Sequence, residues 1–338
     1  MNDMVLFSIC ITAYNRVNEL QRLLKSVDSK KYEKNLEIIV SEDKSPKKVE
    51  IEKVVKAFAE ESNYKVIFNT NENNLGYDRN LGKLKSLASG TYVIYMSDDD
   101  AFIPGCLDGY MDYLIKNDCA VCFQPFIGQT GIRRKYNGNQ HYLNTEATAA
   151  NHIYDSILFS GLTFKREYIA DLDAEPFLNS YYFQVYMFMT VAYKYGLHYY
   201  DTPLVHCIMD GENAYGKSDS SIKNADLANR KSIYSNLEFN KGLVWVISRF
   251  DSENGTSCKT VFAKEYSIRA LPGMCKARKA GRAEYKKYIS RLEGLDVKLV
   301  QPYGIYKLCI TLFGAKLTEG IFSLPKRILV SHREKSSN

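Results

Sequence analysis

The strongest constraint on the fold is an alternation between short apolar runs and amphipathic stretches in the N-terminal third. The apolar runs occupy residues 7–11, 36–40, 64–68 and 92–96. Between the first three runs, apolar side chains recur at helical spacing, at Leu20, Leu23, Leu24 and Val27 and then at Ile51, Val54, Val55 and Phe58. This alternation predicts parallel β-α-β units, in which helices cover both faces of the sheet.

Polar side chains follow three of these runs at the positions where the predicted strands end. Thr12 and Tyr14 follow the first run, Asp43 follows the second, and three consecutive aspartates at 98–100 follow the fourth. Because ligands of open α/β sheets bind outside the carboxyl ends of the strands, we expect these side chains to line one pocket. Adjacent carboxylates repel each other unless a cation neutralises them, and Mg²⁺ and Mn²⁺ prefer oxygen ligands. The triplet therefore predicts a divalent-cation site, with a solvated acidic loop as the alternative.

Four segments, in this order, resemble the family 2 glycosyltransferases, whose nucleotide-sugar-binding architecture is called GT-A. They are the loop 12–16, the strand and acidic turn 37–45, the Asn-x-Gly…Arg-Asn-x-Gly stretch 74–82, and the aspartate triplet followed by Pro104-Gly105. The resemblance covers residues 5 to about 110, and the segment 159–162 more weakly resembles the acceptor-side strand of the family. It implies an α/β fold with a GT-A-like nucleotide-binding domain and a mostly parallel central sheet.

The resemblance also implies a division of the chain. We expect residues 1–220 to form a GT-A-like catalytic domain, with a nucleotide-sugar half at about 1–110 and an acceptor half at about 111–220. Residues 221–338 are expected to form a mainly helical C-terminal region with a basic amphipathic segment.

Several donor-binding roles follow from the resemblance. It implies that Thr12, Tyr14 and Asp43 hold the nucleotide base, with the tyrosine ring stacking on the base. Arg79 is expected to pair with a phosphate or with the aspartates, because a guanidinium group forks onto oxyanions. Arg16, in the first loop, belongs to the same donor-binding set.

The aspartate triplet departs from the acid-spacer-acid pattern of the family, because Ser97 occupies the position of the first acid. In this alignment Asp98 lies near the ribose of the donor, Asp99 is the metal-bound carboxylate, and Asp100 supports either. A shift of one residue would instead make Asp98 and Asp100 the pair. Both alignments imply Mn²⁺ or Mg²⁺ as the cofactor.

The largest departure concerns the general base, which an inverting member of the family needs to deprotonate the acceptor hydroxyl. The family often places an aspartate at a helix start about a dozen residues before a glycine. Counting back from Gly196 gives Gln184, whose amide cannot act as a base at neutral pH. We therefore expect a carboxylate from a neighbouring loop, although a solvated or structural role is the alternative for each. The candidates are Asp173, Glu175, Asp210 and Glu212, followed by His206 and Asp155.

The composition is that of a globular enzyme. The 338 residues are 45% hydrophobic and 25% charged, which suffices for a sizeable core. Eight cysteines include one Cys-x-x-Cys, at Cys119 and Cys122, but no second pair that would complete a zinc site. The N-terminus has neither a basic segment nor a long apolar one, so we expect a cytoplasmic protein with reduced thiols.

The C-terminal region combines basic and apolar patterns. Lysine and arginine cluster at 276–287, and apolar side chains fall on or near one helical face between Ile305 and Leu324. The uncharged runs are too short to span a bilayer. Such a segment suits the anionic inner face of the cell membrane, with peripheral attachment, and packing on the catalytic domain is the alternative.

These features predict an inverting, metal-dependent glycosyltransferase that moves a sugar from a nucleotide diphosphate to an acceptor hydroxyl. The resemblance implies a role in capsule, O-antigen or other surface-polysaccharide synthesis, with a lipid-linked or saccharide acceptor. The formal net charge of +6 favours an anionic partner, but no nucleic-acid-binding module is visible. One alternative is a nucleotidyltransferase, although the loop 12–16 lacks the glycine expected there. The other is a non-catalytic nucleotide-sugar-binding module.

Overall fold

The computed structural model describes residues 4–208, 210–211, 224–229 and 231–335, with side chains described through Phe322. Its strands are β1 Phe7–Ala13, β2 Leu36–Glu42, β3 Lys65–Thr70, β4 Tyr92–Ser97, β5 Ala101–Phe102, β6 Val121–Phe123, β7 Phe126–Gly128, β8 Gly131–Arg133, β9 Gln140–Tyr142, β10 Thr163–Lys165, β11 Leu197–Tyr199 and β12 Val205–His206. Within the described residues, eight strands form one sheet in the order β3-β2-β1-β4-β10-β6-β11-β9. A smaller sheet has the order β5-β12-β7-β8.

The helices surround these sheets and then continue into the C-terminal region. They are α1 Val17–Lys25, α2 Lys48–Glu61, α3 Tyr77–Leu87, α4 Leu107–Lys116, α5 Glu146–Asn151, α6 Arg166–Ile169, α7 Phe183–Tyr195, α8 Ala225–Ala228, α9 Ser235–Asn254, α10 Cys258–Arg269, α11 Leu271–Ala280, α12 Arg282–Glu293 and α13 Tyr303–Lys335. Short 3₁₀ helices lie at Glu33–Asn35, Ile153–Ser156 and Glu175–Phe177.

The predicted alternation of strands and helices is confirmed in the N-terminal third. β1 pairs in parallel with both β2 and β4, and β2 pairs in parallel with β3. Every residue of β2 is buried, as expected for a parallel strand covered on both faces. β10 then runs antiparallel between β4 and β6, so the sheet is mixed. The predicted α/β class with a mostly parallel central sheet is confirmed.

The segment 159–162, expected to be a strand, is instead a turn that leads into β10. Gly161 adopts a φ of 83°, and its N–H donates to the carbonyl oxygen of Tyr95 at 2.8 Å. A left-handed backbone of this kind is available to glycine at low cost, and it reverses the chain here. The strand itself begins at Thr163, beside Ile94 of β4.

The C-terminal region is helical, as predicted, but its last segment does not form one continuous helix. Gly314 has φ 78° and ψ 175°, which interrupts the helical backbone of α13. Tyr306 and Ile310 pack inward, whereas Leu308 and Leu312 are exposed, so apolar side chains lie on two faces instead of one. The predicted domain boundary at residue 220 falls among the undescribed residues and stays a prediction.

Candidate functional site

A cleft of about 170 Å³ opens at the carboxyl ends of β1, β2 and β4, where such ligand sites are expected. All six residues of the predicted donor-binding set line it, namely Thr12, Tyr14, Arg16, Asp43, Arg79 and Asp98. The opposite wall comes from the loop before α7, through Leu178, Asn179 and Tyr181. The structure thus brings the predicted set into one place, while the individual binding roles stay predictions.

Backbone strain is concentrated around this cleft. Non-glycine residues rarely adopt a positive φ, and when they do the conformation often marks a functional site. Asn15 (φ 62°) and Lys44 (φ 52°) adjoin Arg16 and Asp43. On the opposite wall, Asn179 and Tyr181 both have φ 63°. The loops that border the cleft are therefore held in conformations that their sequences alone do not favour.

Two carboxylates at the end of β4 converge on a single cation. Nη1 of Arg16 lies 2.7 Å from Oδ1 of Asp98 and 3.1 Å from Oδ2 of Asp99. The backbone N–H of Tyr14 donates to the other oxygen of Asp98 at 3.0 Å. Burial raises the pKa of Asp98 to about 7, and the neighbouring charge of Asp99 adds to this effect although Arg16 opposes it.

The convergence of these two oxygens fits a divalent cation. Mg²⁺ and related ions are commonly bound through one or two carboxylates, with phosphate oxygens and waters completing the coordination. In the described part of the chain, no group of three or more His, Cys, Asp or Glu side chains is arranged to hold a metal alone. A cation at the convergence of Asp98 and Asp99 would need further oxygen ligands from elsewhere.

Asp100 faces away from this convergence point. Its carboxylate accepts hydrogen bonds from Oγ of Ser160 at 2.5 Å and from the backbone N–H of Ile208 at 3.1 Å. Burial raises the pKa of Asp100 to about 6. This contact network ties the aspartate triplet to β10 and β12, so its geometry favours Asp99 over Asp100 for direct metal contact.

Asp43 is engaged with its own neighbourhood. Its carboxylate accepts hydrogen bonds from the backbone N–H groups of Leu75 at 2.7 Å and Gly76 at 2.9 Å, and from the side chain of Asn71 at 2.9 Å. Burial raises the pKa of Asp43, although these donors oppose the shift. Asp43 therefore fixes the loop before α3, and its predicted contact with a base would use the remaining acceptor capacity of its carboxylate.

Arg79 pairs with Glu175 instead of with the aspartates. Nε and Nη2 of Arg79 donate to the two carboxylate oxygens of Glu175 at 2.6 and 2.8 Å. The hydrogen bond from Arg79 lowers the pKa of Glu175. Asp173 accepts the backbone N–H of Glu175 at 3.0 Å. The pair lies at the rim of the cleft, since Arg79 lines it and both side chains are substantially exposed.

The other candidates for the base are placed less favourably. Asp210 forms a two-pronged ion pair with Arg22, with both oxygens at 2.8 Å, and Arg22 also donates to the carbonyl oxygen of Asp99. Glu212 lies outside the described residues. His206 is exposed on β12.

Two buried residues near the acceptor side have structural partners. Asp155 accepts hydrogen bonds from Tyr136 at 2.8 Å and contacts His152 at 2.9 Å. Gln184 lies at the start of α7, as predicted, and donates to the carbonyl oxygen of Ile157 at 3.2 Å. Neither arrangement directs a carboxylate into the cleft.

Sequence reasoning missed Asp78, which is buried and lines the cleft. Its carboxylate accepts hydrogen bonds from the backbone N–H groups of Tyr181 and Phe183, both at 3.1 Å, and from Oγ of Ser180 at 3.3 Å. Asp78 therefore caps the N-terminus of α7 from α3 and positions the opposite wall of the cleft. No local sequence pattern predicts that Asp78 caps α7, because the residues that donate to its carboxylate lie about a hundred residues further along the chain.

The chain is similar to known proteins in its family pattern, its sequence and its fold. The family model described as glycosyl transferase family 2 matches residues 8–185. The abequosyltransferase RfbV of Salmonella typhimurium is 29% identical over 231 residues, which cover 62% of this chain and 68% of that protein.

Two solved structures share the fold. S. aureus TarS 1–349 in complex with UDP-GlcNAc has a TM-score of 0.60 at 14% identity, covering 86% of this chain and 82% of its own. The mannosyltransferase PcManGT from Pyrobaculum calidifontis, in complex with GDP-Man and Mn²⁺, has a TM-score of 0.52 at 13% identity, covering 95% and 88%. At these identities the likeness establishes the architecture alone.

We expect Asp78→Asn to destabilise the fold in a pH-dependent way. Burial raises the folded-state pKa of Asp78 to about 6, above its ordinary value of 3.8, so the folded state holds the proton more tightly than the unfolded chain. The contribution of Asp78 to stability is thus largest near pH 4 and falls as the pH rises through 6. The asparagine variant should lose about 1–3 kcal/mol near pH 4, and its deficit should narrow by pH 7.

The measurement is chemical denaturation of both proteins between pH 4 and 7. Glu60→Gln, an exposed carboxylate on α2, is the matched control and should change little. A deficit that stays constant across this range would contradict the assigned burial of an ionisable Asp78.

Proposed function

The chain belongs to glycosyl transferase family 2, and we propose that it transfers a sugar from a nucleotide diphosphate to a hydroxyl of a saccharide or lipid-linked acceptor, with inversion, in surface-polysaccharide synthesis. The observation that carries this proposal is the convergence of Asp98 and Asp99 on one cation position at the edge of a cleft lined by the whole donor-binding set. Similarity to an abequosyltransferase supports the surface-polysaccharide context.

The donor would lie along the carboxyl ends of β1, β2 and β4. Tyr14 and Asp43 would hold the base, and Asp98 would join Asp99 at the cation position instead of lying near the ribose. Asp98 and Asp99 would hold Mn²⁺ or Mg²⁺, which when bound would supply positive charge against the leaving diphosphate. Arg16 already lies at this position and would supply a second positive charge to the diphosphate. The complex of PcManGT with GDP-Man and Mn²⁺ supports this choice of cofactor.

We propose Glu175 as the base that deprotonates the acceptor hydroxyl. Among the described candidates, it is the one paired directly with a residue that lines the cleft. Asp173 would then act by holding the backbone of Glu175 in place. Asp210 would stabilise the end of the aspartate triplet through Arg22. Glu212 remains a candidate from the sequence alone.

Two variants should separate metal binding from acceptor activation. Turnover and binding are measured with Mn²⁺ and a panel of UDP-, GDP-, CDP- and dTDP-sugars. Asp99→Ala should lose both transfer and metal-dependent donor binding, because it removes a metal ligand. Glu175→Gln should lower turnover by about two to four orders of magnitude while donor affinity stays near normal. Asp171→Asn is the matched control, because Asp171 is an exposed carboxylate of the same loop and has no role in the proposed mechanism.

Each part of this assay has an outcome that contradicts the proposal. If no nucleotide sugar is turned over while one is bound tightly, the chain is the non-catalytic binding module. Full metal dependence in Asp99→Ala would move the metal to Asp98 and Asp100. If Glu175→Gln loses donor affinity instead of turnover, Glu175 acts by holding Arg79 and is not the base.

We further propose that the enzyme works at an anionic membrane surface. In the described part of the chain, no helix is long and apolar enough to cross a bilayer. Six large apolar side chains of α13 are 46% to 65% exposed, namely Ile305, Leu308, Leu312, Phe313, Leu317 and Ile321. Residues 276–335 contain 14 Lys and Arg against 5 Asp and Glu, a formal charge of +9, whereas the whole chain carries +6. An apolar face on a basic region is complementary to anionic lipid.

Replacing two exposed leucines should release the protein from anionic vesicles. The double variant Leu308→Asn and Leu312→Asn removes about half of the apolar stripe before Gly314 without touching the buried face. It should lose binding to phosphatidylglycerol vesicles in a sedimentation assay while keeping its unfolding transition. Ile268→Asn, an exposed apolar residue on α10, is the control and should still bind. The membrane role would be refuted if the wild-type protein did not bind these vesicles. It would also be refuted if the double variant bound them as well as the wild-type protein does.

A further inference from the structure

Trp245 is the one tryptophan in the sequence, and it lies on α9 with 42% of its surface exposed. The residues on either side of it, Val244 and Val246, are buried. The indole packs against the ring of Phe177, with centroids 5.8 Å apart and ring planes at 55°. Phe177 is 1% exposed, so the indole is supported from beneath and open to solvent above.

This indole lies next to the opposite wall of the cleft, which is formed by the loop before α7. Phe177 is followed immediately by Leu178, the first residue of that wall. α9 is fixed against the same loop at Gly242, where an added Cβ would lie 2.1 Å from the carbonyl oxygen of Ser180. Trp245 is three residues further along α9, about one helical turn. The helix that supports the wall from behind therefore presents the indole beside it.

Polar groups border the aromatic surface. The guanidinium of Arg249 lies 5.5 Å from the centroid of Phe177 and donates to Glu253 at 2.7 Å. The hydroxyl of Tyr186, whose ring is 4.1 Å from that of Phe177, donates to Glu253 at 2.6 Å. Glu175 begins the 3₁₀ helix that ends at Phe177, and its carboxylate is more than half exposed. We call the surface formed by Trp245, Tyr186, Arg249, Glu253 and Glu175 the Trp245 platform.

We propose that the Trp245 platform binds a sugar ring of the acceptor. A pyranose has an apolar C–H face and a rim of hydroxyl groups. An exposed aromatic ring bordered by carboxylates and a guanidinium matches both, because the ring packs on the C–H face while the charged groups exchange hydrogen bonds with the hydroxyls. The proposal rests on the proposed function in one respect, namely that the bound saccharide is the acceptor of the transfer reaction.

The position of the platform relative to the cleft also fits this assignment. A chain of contacts links the cleft to the indole. Arg79 lines the cleft and pairs with Glu175, Glu175 begins the 3₁₀ helix that ends at Phe177, and Phe177 packs against Trp245. A saccharide that placed one hydroxyl beside Glu175 would carry its neighbouring ring over the indole. A lipid surface would require a wider apolar area, as on α13, and a single indole ringed by charges does not provide one.

The single tryptophan allows direct measurement of saccharide binding. Fluorescence of the full-length protein is titrated with methyl glycosides and disaccharides of mannose, galactose, rhamnose and N-acetylglucosamine. At least one should produce a saturable change, and neither glycerol nor UDP should reproduce it. In transfer assays, Trp245→Ala should raise the acceptor KM about five- to tenfold and leave the donor KM unchanged, which corresponds to about 1–1.4 kcal/mol. Trp245→Tyr should retain part of the affinity.

Tyr195→Ala is the matched control, because Tyr195 is an aromatic residue of similar exposure at the far end of α7. It should leave both KM values unchanged. A fluorescence response to none of these sugars, or an unchanged acceptor KM in Trp245→Ala, overturns the platform assignment. If the saccharide response persists but no nucleotide sugar is turned over, the proposed function fails while the saccharide site stands.

Discussion

The meeting of Asp98, Asp99 and Arg16 is the interaction on which the rest of the site depends. Two largely buried carboxylates in sequence would be costly without a positive charge beside them. Arg16 supplies that charge from the loop after β1, because β1 pairs directly with β4 and the ends of both strands lie side by side. The pairing of β1 with β4 and the charge balance of the cleft therefore depend on each other, since moving either strand would leave buried charge unpaired.

Around this centre, two further buried carboxylates hold the backbone of loops that border the cleft. Asp43 binds the N–H groups of the loop before α3, and Asp78 binds those of the loop before α7. Asp78 thereby fixes a loop in which Asn179 and Tyr181 have unfavourable positive φ angles. The cost of that strain is offset by charge-assisted hydrogen bonds, and the result is a pre-formed cleft with little to reorganise on binding.

The sequence predicted the parts of the molecule that depend on local pattern. Alternating runs gave the four parallel strands, and polar residues at their ends gave Thr12, Tyr14, Asp43 and Asp98 in the cleft. Arg16 and Arg79 followed from the family resemblance. The contacts of Arg79 with Glu175 and of Asp78 with Phe183 join segments about a hundred residues apart, and no local spacing encodes them. Hydrophobic periodicity also predicted one face between Ile305 and Leu324. The structure adds a buried set at Tyr306 and Ile310 and a break in the helical backbone at Gly314, and periodicity does not detect a change of backbone conformation.

The most direct test of this account is the position of the metal. Crystals grown with Mn²⁺ and a nucleoside diphosphate, UDP or GDP, would be measured at the manganese absorption edge. The account predicts an anomalous peak at the point where Asp98 and Asp99 now converge on Arg16, with the guanidinium displaced towards the diphosphate. Two cations cannot share that point at close range. A peak beside Asp100 and His206, or one that leaves Arg16 in place between the two carboxylates, would contradict it.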